Sequence, residues 1–200
     1  MNLRDSVIIV TGSATGLGSA IVKQVAAKGS RVVINYTKSE KEAHDTEAVC
    51  NYLGVESILC KADVSVDEDC RRMANEALEK WGRIDGLVNN AARSVFANAK
   101  DLEALKGQQF MDVFSVNVVG PYQMARAVAP HMKAQGHGSI VNVSSISAQT
   151  GAGSSIAYAA SKGALNTMTL SLARSLAPEI KVNAIMPSAF PSRWWADGIG

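Results

Sequence analysis

Tyr158 and Lys162 stand four residues apart in Ala157-Tyr158-Ala159-Ala160-Ser161-Lys162, and Ser145 lies thirteen positions before the tyrosine. Residues i and i+4 share one face of a helix, so this spacing makes a phenol and an ammonium neighbours. A free tyrosine titrates near 10 and is a poor acid–base group at neutral pH; bringing it to about 7 takes roughly 4 kcal/mol in favour of the phenolate. One ammonium about 4 Å away, at an effective dielectric near 20, supplies roughly that. With Ser145 as a second hydroxyl, the set could move a proton to or from an oxygen while a cofactor moves a hydride. Alone, a Tyr-x-x-x-Lys pair is ordinarily a half-buried ring beside a solvated cation, so the rest of the chain must decide.

The elements that would position these residues alternate. Val7–Val10, Arg31–Ile34, Ser57–Leu59, Gly86–Val88, Ser139–Val143 and Lys181–Ile185 are short, near-continuous apolar runs. Such runs fit a parallel sheet covered on both faces. Between them, Gly16–Lys28, Glu40–Tyr52, Val66–Trp81, Gln109–Gln135 and Ser155–Leu176 carry helical periodicity. The pattern predicts an α/β fold with a doubly wound parallel sheet, a three-layer Rossmann arrangement that binds ligands outside the carboxyl ends of its strands. No linker divides the chain, so residues 1–200 form a single domain. Gly151–Ser155 reads as an active-site loop between a strand and a helix.

Composition narrows the function classes. The 200 residues are 47% hydrophobic and 19% charged, with a net charge of +2 spread along the chain. No basic stripe points to nucleic acid, and no apolar run is long enough to span a bilayer. The three histidines match no metal-ligand spacing, so no metal is expected. Cys50, Cys60 and Cys70 form no disulfide framework and read as reduced thiols of a cytoplasmic protein.

Thr11-Gly12-Ser13-Ala14-Thr15-Gly16-Leu17-Gly18 follows the first strand and opens the first helix. Glycines there allow a tight turn and let backbone N–H groups approach a pyrophosphate at the positive helix end. Asn89-Asn90-Ala91-Ala92 follows the fourth strand, and Asn117 lies in Ser115-Val116-Asn117-Val118-Val119-Gly120. With Ser145, Tyr158 and Lys162, these motifs run in the order of the short-chain dehydrogenase/reductase superfamily. The chain resembles in particular the branch that includes 3-oxoacyl-[acyl-carrier-protein] reductases.

The resemblance implies roles residue by residue. Tyr158 would give a proton to a carbonyl oxygen while the nicotinamide delivers hydride, and Ser145 would bond the same oxygen. Lys162 would hold the nicotinamide ribose and lower the tyrosine pKa, with Asn117 holding a water that returns protons. Gly12, Ser13, Thr15, Gly16, Leu17 and Gly18 would line the pyrophosphate and adenosine ribose. Asp63 and Val64 would meet the adenine, Asn90 and Ala91 a ribose, and Pro187 and Phe190 the nicotinamide. Asn35, Tyr36, Thr37 and Lys38 end strand two, where a carboxylate would select NAD(H); its absence before Glu40 favours NADP(H) over NAD(H).

The expected reaction is reduction of a ketone to a secondary alcohol, on a 3-oxoacyl thioester-like or other small carbonyl. The alternatives are an NAD-dependent alcohol dehydrogenase acting on a sugar, steroid or hydroxy acid, and a nucleotide-binding protein without turnover. Family members assemble through their long fourth and fifth helices and last strand, so a homo-oligomer, dimer or tetramer, is expected. They also continue past this point, so a sequence ending at Gly200 is expected to lack the last strand. Two departures lie near the nicotinamide: Pro187-Ser188 replaces a usual Pro-Gly, and Ser192 replaces a frequent threonine.

Overall fold

The computed structural model describes residues 2–188. β1 (Val7–Val10) is buried along its whole length and sits near the middle of a six-stranded sheet. Its side chains alternate between two cores. Val7 and Ile9 point to the core shared with Met73, Met124 and Ile140, while Ile8 and Val10 point to the one shared with Val22, Ala43 and Cys50. This two-residue period on a strand with no wet face is why a continuous apolar run codes for it.

The other strands are β2 (Arg31–Tyr36), β3 (Ser57–Lys61), β4 (Gly86–Asn89), β5 (Gly138–Val143) and β6 (Ile180–Ile185). The order is β3-β2-β1-β4-β5-β6, and every pairing is parallel. The winding therefore reverses between β1 and β4, opening a crevice at their carboxyl ends. The doubly wound α/β reading holds, with strand bounds extended by a residue or two.

The helices are α1 (Gly16–Ala26), α2 (Glu40–Tyr52), α3 (Asp67–Trp81), α4 (Gly107–Phe114), α5 (Gly120–Ala134), α6 (Ser147–Thr150) and α7 (Ile156–Leu176). Asp67, Glu68 and Asp69 occupy the positive first turn of α3, and Gly82 at φ +71° ends it. The expected single helix over Gln109–Gln135 is broken. Residues Ser115–Val119 form a π-helical turn between α4 and α5. Pro121 has no N–H to give the carbonyl four residues back, that of Asn117, so the α-helical ladder cannot run through.

At the sheet end away from the crevice, the side chain of Asp85 is buried. It accepts from Val7 N at 2.9 Å, from Arg83 at 2.6 and 2.9 Å, and meets His137 Nε2 at 3.0 Å. Burial alone would raise its pKa; the hydrogen bonds from Arg83, Val7 and His137 outweigh that and hold the carboxyl below its usual value. Cys50, Cys60 and Cys70 are free and buried, which pushes their thiols up to about 11, 12 and 12. They behave as small apolar side chains.

Candidate active site

The glycine turn is shaped from behind as much as from the cleft. Gly12 takes φ +60°, and its N–H donates to Asn35 Oδ1 at 2.9 Å. Asn90 Nδ2 donates to the carbonyls of Thr11 and Gly12 at 2.9 and 3.0 Å. Thr11 Oγ1 accepts from the N–H groups of Asn90 and Ala91, each at 3.0 Å. Ser13 Oγ donates to Val10 O at 2.7 Å and accepts from Asn35 N at 2.9 Å. Side chains of β2 and of the segment after β4 thus hold the turn between them.

The glycines differ in what they do. A Cβ on Gly12 would lie 2.8 Å from Ala91 Cα. One on Gly18 would press on the Gly12 carbonyl oxygen and stand 2.6 Å from Asn90 Nδ2. Gly16, at φ +56°, has nothing within 4 Å of its would-be Cβ and lines the cleft. Its open backbone is where a ligand can approach; Gly12 and Gly18 are needed for the protein's own close packing.

The cleft has a volume of about 870 Å³. It joins Gly12, Thr15, Gly16 and Leu17 to Asn35, Tyr36, Thr37 and Lys38 on one side, and to Asp63, Val64, Asn90 and Ala91 on another. At its far end lie Ser145, Tyr158, Lys162 and Pro187. Ser13, Gly18 and Asn117 support the site from outside its lining, and Phe190 lies outside the described residues. Asp63 Oδ1 accepts from Ser65 N and Oγ at 2.9 and 2.7 Å. Burial and a hydrogen bond with Glu40 raise the Tyr36 phenol, so Glu40 is engaged beside the cleft and does not line it.

Tyr158 and Lys162 share one face of α7, whose first turn is capped by Ser155 Oγ accepting from Tyr158 N at 3.2 Å. Lys162 is only 2% exposed; its Nζ donates to Val143 O at 2.7 Å and lies 5.6 Å from the Tyr158 ring centroid. Burial pushes this ammonium down to about 8. The Tyr158 phenol is raised by burial, against the opposing pull of a hydrogen bond with Ser145. The lowered tyrosine expected from the sequence is therefore not met in the protein by itself. Lys162 directs its nearest hydrogen bond to a strand carbonyl, and desolvation of the ring dominates.

Asn117 sits in the π turn with both amide hydrogens engaged and its side-chain oxygen accepting one bond. Its Oδ1 accepts from Arg93 N at 2.8 Å, and its Nδ2 donates to Arg93 O and Ser161 Oγ, both at 2.9 Å. Ser161 Oγ in turn donates to Tyr158 O at 2.7 Å. Ser161 was not singled out from the sequence, although its place three residues after Tyr158 puts it on the same helix face. Ser147 was also missed: Ser145 Oγ donates to Ser147 Oγ at 3.0 Å. Ser144 Oγ donates to Lys162 O at 3.2 Å. Arg93 pairs with Asp112 at 3.1 Å.

The residues fit a nicotinamide dinucleotide: an open glycine backbone for a pyrophosphate, and a buried cation beside a tyrosine at the other end. Among the described residues no cluster of His, Cys, Asp and Glu could hold a metal, and no helix is long and apolar enough to cross a membrane.

Comparison with known proteins agrees with this geometry. The short chain dehydrogenase family matches residues 6–197. A Streptomyces violaceoruber protein named as a ketoacyl reductase of the granaticin polyketide synthase is 38% identical over 94% of this chain and 74% of its own. One from Rhizobium meliloti, named as a galactose dehydrogenase, is 38% identical over 93% of this chain and 72% of its own. Among solved structures, a short-chain dehydrogenase/reductase from Burkholderia xenovorans superposes with a TM-score of 0.92 at 39% identity, covering 96% of this chain and 80% of that one. An NAD+-bound xylitol dehydrogenase superposes with a TM-score of 0.90 at 30% identity, covering 98% and 75%. A tyrosine, a serine and a buried lysine at the end of a glycine-floored cleft thus stand in a chain that belongs to the short chain dehydrogenase family, an NAD(P)-dependent oxidoreductase acting on carbonyl or alcohol groups.

Proposed function

We propose that this enzyme reduces a small ketone, of the 3-oxoacyl thioester kind, to a secondary alcohol with NADPH. The observation that carries the reading is the joining of Ser145, Tyr158 and Lys162 to the glycine turn by one cleft. The ketoacyl reductase name of one similar protein supports the substrate class. Bound NADPH would supply the hydride. Tyr158 would give its proton to the substrate oxygen, and Ser145 would donate to the same atom. Lys162 would hold ribose hydroxyls with the ammonium now aimed at Val143 O. The amide hydrogens of Asn117 are committed, so toward a water that returns protons it would serve as an acceptor.

The NADPH preference rests on Thr37 and Lys38, which line the cleft at the end of β2 while Glu40 bonds Tyr36 outside it. Cofactor oxidation with a short 3-oxoacyl thioester tests both points. NADPH should be oxidised faster than NADH, and Lys38→Glu should raise KM for NADPH by about tenfold while sparing NADH, the worth of roughly 1.4 kcal/mol. A second reading, an NAD-dependent dehydrogenase of a sugar or polyol, is supported by the galactose and xylitol dehydrogenases among the similar proteins. Turnover of xylitol with NAD+, and none of the thioester, would install it instead.

Met111, Val119 and Tyr122 on and beside α4 and α5, and Leu170 on α7, are exposed apolar side chains. The reading extends to at least a dimer through this face; light scattering that finds a stable monomer overturns it.

A further inference from the structure

We propose that Ser147 is a positioning residue for the reaction, acting through Ser145; the proposal rests on the role given to Ser145 above. Ser145 Oγ has one hydrogen, and three partners claim it. In the structure it goes to Ser147 Oγ at 3.0 Å. Tyr158 shares a hydrogen bond with the same hydroxyl, and the substrate oxygen needs it during turnover. To serve the substrate, Ser145 must turn its hydrogen away from Ser147.

Ser147 is built to allow that turn without losing the contact. Its backbone N–H donates to Ser145 Oγ at 3.1 Å, fixing the oxygen while the hydrogen swings. Ser147 is 6% exposed and lines the cleft, with its hydroxyl within reach of Ser145 Oγ. When Ser145 points to substrate, Ser147 Oγ–H can rotate to donate to Ser145 Oγ, so the same pair stays bonded in the reverse sense. A hydroxyl that accepts a hydrogen bond is itself a stronger donor. Ser147 therefore strengthens the bond from Ser145 to the substrate oxygen at the moment negative charge develops there.

Gly153 makes this arrangement possible. A Cβ at Gly153 would stand 2.8 Å from Ser147 Oγ and 3.5 Å from Tyr158 Cδ1. The loop before α7 thus closes over the serine pair with backbone alone. Ser147 contributes no charge, and its effect is confined to orienting and polarising its neighbour.

A double-mutant cycle tests the inference, using whichever of the 3-oxoacyl thioester and xylitol the wild-type enzyme turns over. Ser147→Ala should lower kcat by about tenfold with KM and cofactor affinity unchanged, the loss of one transition-state hydrogen bond. Ser147→Thr, which restores a hydroxyl, should recover most of the rate. In a Ser145→Ala background, Ser147→Ala should cost no more than about twofold, because its partner is gone. An equal loss in both backgrounds would show a structural role and overturn the proposal, as would full activity in the single variant. If neither substrate is turned over, the substrate reading fails, and the positioning claim is decided by a crystal structure of Ser147→Ala. More than one Ser145 rotamer supports it; a single unchanged rotamer overturns it.

Discussion

Tyr158→Phe is expected to lower kcat by about 10²–10⁴-fold, the range for removal of a positioned acid–base group, with cofactor affinity unchanged. The substitution deletes one oxygen and keeps the ring. Tyr158 is 8% exposed and its ring lies 5.6 Å from Lys162 Nζ, so packing and the cation's setting persist. What disappears is the proton that the substrate oxygen would receive, together with the hydrogen bond to Ser145. Stopped-flow single turnovers measure the chemical step, and fluorescence titration with NADPH measures binding. A variant that keeps its rate would refute the assignment of the acid. One that loses both rate and cofactor binding would mean that the phenol serves the architecture of the site.

Gly18→Ala is expected to lower cofactor affinity by about 10²-fold and to destabilise the fold. In a helix alanine is favoured over glycine by about 1 kcal/mol. Here a methyl would press on the Gly12 carbonyl oxygen and stand 2.6 Å from Asn90 Nδ2 and 2.8 Å from Ser13 Cα. Those atoms belong to the bonds that fix the turn, so relief must come from moving it. Overpacking of this sort costs about 1–3 kcal/mol, and a displacement near 1 Å can cost about 10²-fold in function. At about 2–4 °C per kcal/mol, a melting curve should show a clear drop. Gly16→Ala provides the contrast: its methyl meets nothing within 4 Å, so its cost is the backbone strain of alanine at φ +56°, about 1–2 kcal/mol, together with an obstructed cleft floor. Calorimetric titration and thermal melts on both variants separate the two effects. A Gly18→Ala variant that melts and binds cofactor like the wild type would contradict the division of labour among these glycines.

The inner strands were legible as short apolar runs, and β1, buried along its whole length, shows why: its neighbours in sequence feed opposite cores, whereas β6 alternates buried Ile180 and Val182 with exposed Lys181 and Asn183. The helix expected over Gln109–Gln135 was misread because apolar periodicity continues through residues 115–119 although Pro121 interrupts the hydrogen bonds. Periodicity records which face is buried; it does not record how the backbone bonds. At the site, residue types and order placed Ser145, Tyr158 and Lys162 correctly on β5's exit and α7. Asn35 and Asn90 are different. Both line the cleft, yet their side-chain amides hold backbone carbonyls and N–H groups of neighbouring segments. That division between lining atom and supporting atom depends on contacts 23 to 79 residues apart in sequence, which no local pattern carries. The direction of Lys162 toward Val143 O is legible only once β5 and α7 are side by side.

The bonds that frame the Gly12 turn also tie its shape to two separate parts of the chain. One frame member comes from β2 and the other from the segment after β4, on either side of β1. A nascent or refolding chain that has completed only its first βαβ unit has the Asn35 support and lacks the Asn90 support. The turn is thus framed on both sides only once strands on both flanks of β1 have docked.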